Sequence, residues 1–132
     1  MTDRAALLMD LAERCEKAQG ADRELDGAIA SALGWTEVHG SVLAPRFQGG
    51  RPPGVTDWWD HVPAYTASRD AARSLLPSNW HLEIGDRDDW PWAKGYEFPP
   101  PCRRVSMVHA ATVPLTMCAA ALRARAEEAR HD

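Results

Sequence analysis

Residues 79–84, NWHLEI, decide the fold class of this chain. Apolar and polar side chains alternate along them, and alternation with a period of two is typical of a β-strand with one buried face. The apolar face carries Trp80, Leu82 and Ile84, and the polar face carries His81 and Glu83. Because the neighbouring patterns are helical, this strand predicts a domain that mixes helices with a sheet.

A second strand is predicted over residues 104–110, with Val105, Met107 and His109 on one face. Shorter strands are permitted at residues 38–43 and 58–61. Prolines and glycines interrupt regular strand pairing. Two segments are therefore predicted to be irregular, residues 45–54 and residues 85–103.

Four segments place apolar residues at helical spacing. The predicted helices cover residues 3–19, 22–33, 66–76 and 112–122. Asp22, Thr112 and either Thr66 or Ser68 are candidate N-caps, because their side-chain oxygens can accept from the free N–H groups of a first helical turn. Gly34 provides a natural helix end, and the charged residues 123–132 predict a solvated C-terminal end.

Together these patterns predict a single α+β domain over residues 1–132. Its architecture is a layered α/β/α sandwich with about four helices and a small, three- to four-stranded, mostly antiparallel sheet. The polar face of residues 79–84 requires that this strand lies at the sheet edge, or that one helical layer covers the sheet incompletely.

Composition restricts the functional classes. Fifteen Lys and Arg residues against nineteen Asp and Glu residues give a formal net charge of −4, which argues against a protein that coats a polyanion. No apolar run approaches the roughly 18 residues that a membrane-spanning helix needs, so we expect a cytosolic protein. Cys15, Cys102 and Cys118 lack metal-binding spacing, and we expect reduced, mostly structural thiols, two of them on apolar helix faces.

Three motifs occur in order along residues 5–126: RELDGAI followed by AL at 23–33, YTASRDAA followed by Leu75 and Pro77 at 65–77, and ATVPLTMCAAALRAR at 111–125. In this combination the chain resembles the phage ABA sandwich domain family, small proteins of phages and prophages. The third motif departs from the family at residues 114–117, PLTM, where alanine and leucine are usual. The resemblance implies a sheet between helical layers and a phage or prophage origin, and it implies no catalytic residues.

Aromatic and basic residues concentrate in the segments predicted to be irregular. Tryptophan, tyrosine and arginine are the residues that dominate interface hot spots, and aromatic rings also form base-stacking platforms. The candidate binding residues are Trp58, Trp59, Trp90, Trp92, Arg51, Arg103 and Arg104. The alternative is that the indoles cover the sheet and complete a core that is poor in phenylalanine and isoleucine.

A second candidate site is a charged pocket between two predicted helix starts, formed by Arg23, Tyr65, Ser68 and Asp70. In the structural alternative, Glu24 and Asp26 favour their helix start electrostatically and Arg23 pairs with an acid such as Asp70.

The sequence carries no established catalytic or phosphate-binding motif. We therefore assign no catalytic residue, no metal ligand and no cofactor. A metal site is conceivable from scattered side chains without a supporting spacing, namely His61, His81, Glu83, Asp88 and His109.

These observations favour a non-enzymatic phage accessory protein in the cytoplasm of the bacterial host. We expect it to bind a host or phage protein or to sequester a small ligand. One purpose of such binding would be to antagonise a bacterial defence system. Nucleic acid is a less favoured partner because the chain is acidic, no membrane contact is expected, and a homo-oligomer is compatible with the sequence. The alternatives are a small metal-assisted hydrolase and a phage structural or assembly component.

Overall fold

A computed structural model of the chain describes residues 3–34, 36–38, 41–43, 62–87, 89–100 and 102–130. Residues 36–38 and 41–43 are described by their backbone alone. The predicted loop at 45–54 and the predicted strand at 58–61 lie outside these residues.

The first two helices are α1, Asp3–Lys17, and α2, Arg23–Ala32. Helix α2 begins where predicted, because the Asp22 carboxylate accepts from the backbone N–H of Leu25 at 3.2 Å. It ends before Gly34, whose φ of 94° is the left-handed conformation that glycine adopts without steric cost.

Helix α3 is short, Arg69–Arg73, and Ser68 caps it by accepting from the N–H of Ala71. Helix α4, Val113–Arg130, begins after Thr112, whose hydroxyl accepts from the N–H of Leu115. The predicted solvated end from residue 123 is wrong, because α4 continues through it. Small side chains alternate there with arginine and glutamate, so the alanines are buried while the charged groups reach outward; the buried alanines are Ala124, Ala126 and Ala129.

The strands form two separate antiparallel sheets in the described residues. Strands β1, Thr36–Val38, and β2, Ser41–Leu43, pair as a hairpin. Strands β3, Trp80–Arg87, β4, Trp90–Glu97, and β5, Arg104–His109, form a sheet in the order β3-β4-β5. The strand predicted at 79–84 therefore lies at a sheet edge.

The prediction of an irregular segment over residues 85–103 is wrong, because β4 is the central strand of the larger sheet. Strand β4 contains a proline and a glycine, residue types that weaken a strand, but both lie at positions that tolerate them. Pro91 is the second residue of the strand, and Gly95 adjoins the irregularity in the pairing of β4 with β5.

The predicted face of the second strand is also wrong, because β5 contains a bulge. Ala93 pairs with Val108 and Gly95 pairs with Val105, so β5 uses one residue more than β4 over the same length. The extra residue shifts the alternation of faces. Val105 and Val108 are buried, whereas Met107 and His109 are exposed.

The α+β fold class is confirmed, with four helices and a three-stranded antiparallel sheet in the described residues. Helix α4 lies against the sheet and contacts all three strands, and α1 and α3 pack on α4. In the part of the chain that the structure describes, no helix combines the length and apolarity needed to cross a bilayer.

Candidate binding surface

The face of the three-stranded sheet opposite the buried Ala93, Val105 and Val108 carries exposed side chains, and we call it the outer face. Because strand residues alternate between the two faces, every second residue of β4 belongs to it. The outer face is formed by His81, Glu83, Gly85, Arg87, Trp90, Trp92, Lys94, Tyr96, Arg104, Met107 and His109.

Strand β4 supplies the aromatic centre of the outer face. Trp90, Trp92, Lys94 and Tyr96 stand at alternate positions, while the residues between them are buried. Trp90 is 46% exposed and Tyr96 is 44% exposed, and the Lys94 ammonium lies 5.7 Å from the centre of the Trp92 ring. These aromatic side chains are therefore not part of the hydrophobic core.

Two ring stacks fix the orientation of aromatic groups on the outer face. Trp90 stacks on His109 with ring centres 4.4 Å apart, and Tyr96 stacks on His81 at 5.4 Å. The His109 Nδ1 lies 2.7 Å from the carbonyl oxygen of Pro91. Because a carbonyl only accepts, this contact requires the proton on Nδ1. The rings are thus ordered before any partner binds, which lowers the entropic cost of association.

A hollow of about 660 Å³ lies beside Tyr96, which belongs to one of these stacks. Apolar exposure is concentrated around it, because the side chains of Tyr96, Phe98 and Met107 are 44%, 63% and 45% exposed. Lys94 and Arg104 contribute two positive charges to its lining, beside the carboxylates of Glu83 and of Glu97, which is paired with Arg103. The hollow thus offers apolar surface and cationic groups to one ligand.

Three residues predicted to bind are brought together by the fold, because Trp90, Trp92 and Arg104 share the outer face. Arg103, which was also predicted to bind, pairs instead with a buried carboxylate. Its guanidinium Nη2 lies 2.8 Å from Oε2 of the buried Glu97, and hydrogen bonding to this carboxylate raises the pKa of Arg103. A further contact with Glu128 joins this end of β4 to α4.

The remaining predicted aromatic and basic residues, Trp58, Trp59 and Arg51, lie outside the described residues. Trp80 is buried, as the strand pattern requires, and its indole Nε1 donates to Glu128 at 2.9 Å.

The second predicted pocket uses its polar groups for internal contacts. Arg23 contacts the carboxylate of Asp26 at 3.0 Å and the carbonyl oxygen of Val62. The hydroxyl of Ser68 caps α3, and Asp70 is exposed in the first turn of that helix. Tyr65 is buried, and this burial raises its pKa to about 12.

Asp26 has a larger role than the sequence suggested. Its carboxylate is 1% exposed and accepts from both the backbone N–H and the hydroxyl of Thr66, each at 2.8 Å. Thr66 in turn accepts from the N–H of Asp22. These contacts fasten the segment before α3 to the start of α2, so the motif residues here stabilise the fold.

The side chains considered for a metal site are dispersed where they can be located. His81 is opposite Tyr96 on one edge strand, and His109 is opposite Trp92 on the other. In the described ranges no three His, Cys, Asp or Glu side chains come together in a way that could hold a metal ion. His61 and Asp88 lie outside those ranges.

Tyr96, Phe98 and Met107 line the hollow and were missed in the sequence analysis. The signal for Tyr96 was the alternation W-x-W-x-K-x-Y over residues 90–96, which has the period of a strand. Nothing in the local pattern predicts the bulge that exposes Met107, because it depends on pairing between strands.

Compared with known protein families, with functionally described proteins and with solved structures, the chain has no match in any of the three.

Proposed function

We propose that this chain is a non-enzymatic binding protein whose outer face captures a protein partner. The observation that carries the proposal is the group of solvent-exposed aromatic and methionine side chains on the outer face and around the hollow. Aromatic residues, methionine and arginine are enriched at protein interfaces. Exposed apolar side chains that cluster on one face are typical of an interaction site.

The charges of the outer face favour a partner segment that is acidic as well as apolar. Arg87, Lys94 and Arg104 contribute three positive charges against the one negative charge of Glu83. The whole chain carries −4. A locally basic face on an acidic protein attracts and orients an acidic partner and repels one that is basic.

The resemblance to the phage ABA sandwich family supports a phage or prophage origin for this binding protein. Under this proposal the partner is a protein of the bacterial host or of the phage, met in the host cytoplasm. Antagonism of a bacterial defence system is the purpose we propose, because a small protein that only binds can act by occupying a surface of another protein.

The proposal can be tested by selecting 12-residue peptides from a random library on the immobilised protein. We expect the selected peptides to combine Asp or Glu with aromatic or aliphatic residues. Synthetic peptides of the selected class should bind the wild type. Their affinity for Tyr96→Ser and for Met107→Ser should be at least tenfold lower, because these substitutions remove exposed apolar surface.

Leu7→Ser is the matched control, because Leu7 is 46% exposed on α1 and lines neither the hollow nor the outer face. It should bind the peptides as the wild type does, and circular dichroism should show all variants folded. Peptides that bind the wild type and all three variants equally would overturn the proposal. So would tighter, outer-face-dependent binding of a single-stranded oligo(dT) measured by fluorescence anisotropy, since that would identify a nucleic-acid platform.

A further inference from the structure

A second cavity, of about 360 Å³, shares no lining residue with the hollow on the outer face. It is predominantly polar, and arginines from the two ends of the chain meet in it. Its lining consists of Arg4, Pro77, Ser78, Asn79, Arg125, Glu128 and Ala129.

Backbone carbonyl groups hold both arginines in place. Arg4 donates through Nη1 to the carbonyl oxygen of Ala32 at 2.9 Å, and Arg125 donates through Nε to that of Leu75. Ala32 is the last residue of α2, and Leu75 lies two residues beyond the end of α3, so both carbonyls are close to helix C-termini, where cations are stabilised. Each guanidinium is therefore positioned by one donor and keeps further N–H groups for another acceptor.

The two positive charges are only partly compensated by the described residues, because the carboxylate of Glu128 lines the same cavity and acts on Arg125. Neither Arg4 nor Arg125 has a carboxylate within salt-bridge distance there. Glu128 lines the cavity, but its Oε1 accepts from Trp80 and its Oε2 lies 3.4 Å from Arg103. Burial, followed by the nearby charge of Arg4, lowers the pKa of Arg125. The two cations thus disfavour each other, and a bound anion would relieve that repulsion.

A phenolate at Tyr65 would act electrostatically on Arg125, but Tyr65 does not supply a further negative charge. Its pKa of about 12 keeps the hydroxyl protonated at neutral pH. Neutral donors are available instead, because Ser78 and Asn79 line the same cavity. Asn79 has a φ of 77°, and its carbonyl oxygen accepts from the N–H of Phe98, which fixes this turn beside the arginines.

We propose that this cavity is a binding site for a phosphate-type oxyanion, held by Arg4 and Arg125. Guanidinium groups match the oxygen geometry of phosphate and donate to it in pairs. The volume leaves room for a small group attached to the phosphate, since pockets for small ligands begin at about 300 Å³.

Isothermal titration with inorganic phosphate, against sodium chloride of the same ionic strength, tests the site in the full chain. We expect phosphate to bind the wild type and its dissociation constant to rise at least fivefold in Arg4→Gln. The matched control is Arg14→Gln, which removes the same charge from an exposed position of the same helix. Its dissociation constant should stay within a factor of two of the wild type.

Arg125→Lys provides a second test, because it keeps the charge but loses the paired donors of the guanidinium. We expect it to weaken phosphate binding while the protein remains folded by circular dichroism. A phosphate monoester such as phenyl phosphate distinguishes the sources: tighter binding than inorganic phosphate indicates an organic phosphate, and equal binding indicates the free ion. Absence of phosphate binding to the wild type, or equal weakening by Arg4→Gln and Arg14→Gln, would overturn the proposal.

Discussion

The indole of Trp92 lies directly over Gly85, its cross-strand partner on β3. A Cβ at position 85 would lie 2.2 Å from the indole Nε1 and 2.3 Å from Cε2, both far inside contact distance. Gly85 is therefore required for space: the missing side chain leaves room for the indole to lie flat across β3. This contact explains why Trp92 is half-buried while its neighbours Trp90 and Tyr96 are exposed.

The first prediction follows from this contact. Gly85→Ala should displace the Trp92 indole and reduce the free energy of unfolding by about 1–3 kcal/mol, which is typical of an overpacked site. Urea denaturation measures the loss, and tryptophan fluorescence should change because the ring moves. Gly20→Ala is the control, because nothing lies within 4 Å of the added Cβ at position 20. Equal stability of the two variants would contradict this interpretation.

The second prediction concerns the buried carboxylate of Asp26. In Asp26→Asn an N–H₂ group replaces one carboxylate oxygen, so either the contact with Thr66 or that with Arg23 is lost. We expect a loss of about 3 kcal/mol, since breaking a buried charged hydrogen-bond network leaves its partners unsatisfied.

Glu24→Gln is the control for this substitution, because Glu24 is exposed in the first turn of the same helix. It should change the unfolding free energy by less than about 1 kcal/mol, the range of a surface charge at a helix start. Chemical denaturation of both variants gives the comparison. A similar, small effect of both substitutions would show that Asp26 acts only through its charge on the helix.

The sequence predicted best what depends on neighbours along the chain. The N-caps Asp22, Ser68 and Thr112 act within three residues, and the alternation at 79–84 is visible in six residues. What it could not predict depends on pairing between distant segments. The strand character of β4 is hidden by Pro91 and Gly95, and it becomes favourable because two partner strands enclose it.

The candidate site was partly predictable for the same reason. Trp90, Trp92 and Arg104 could be selected by residue type, since aromatic and basic side chains in one region suggest binding. Arg103 was selected on the same ground, yet it pairs with Glu97. Residue type alone cannot distinguish these two arginines, because strand position decides which one faces outward and which one meets the buried carboxylate.

The third prediction concerns the three thiols. Cys15 and Cys118 are buried, whereas Cys102 is exposed. Hydrogen bonding with Cys15, followed by burial, raises the pKa of the Cys118 thiol, which also donates to the carbonyl oxygen of Tyr65 at 3.0 Å. We expect iodoacetamide to modify Cys102 alone in the folded protein at pH 8, because only an accessible thiolate reacts.

Mass spectrometry should therefore show one added group in the native protein and three after unfolding in guanidinium chloride. Cys102→Ser should abolish labelling of the native protein. Rapid labelling of Cys15 or Cys118 under native conditions would show that the contact between α1 and α4 opens readily, contrary to the packing of these two helices.

The last prediction is a loss of stability in alkali that depends on Tyr65. Its pKa rises from 10.0 to about 12 on folding, chiefly because burial disfavours the phenolate. A group whose pKa is higher in the folded state stabilises the fold fully below its unfolded pKa, and this contribution disappears as the pH rises through the folded pKa. Stability should therefore fall by about 2 kcal/mol between pH 10 and 12 on account of this residue. Urea denaturation across that range measures how the free energy of unfolding changes with pH. Tyr65→Phe should flatten this dependence, whereas Tyr96→Phe, at an exposed position, should not. Identical pH dependence in both variants would exclude Tyr65 as the origin of the alkaline loss of stability.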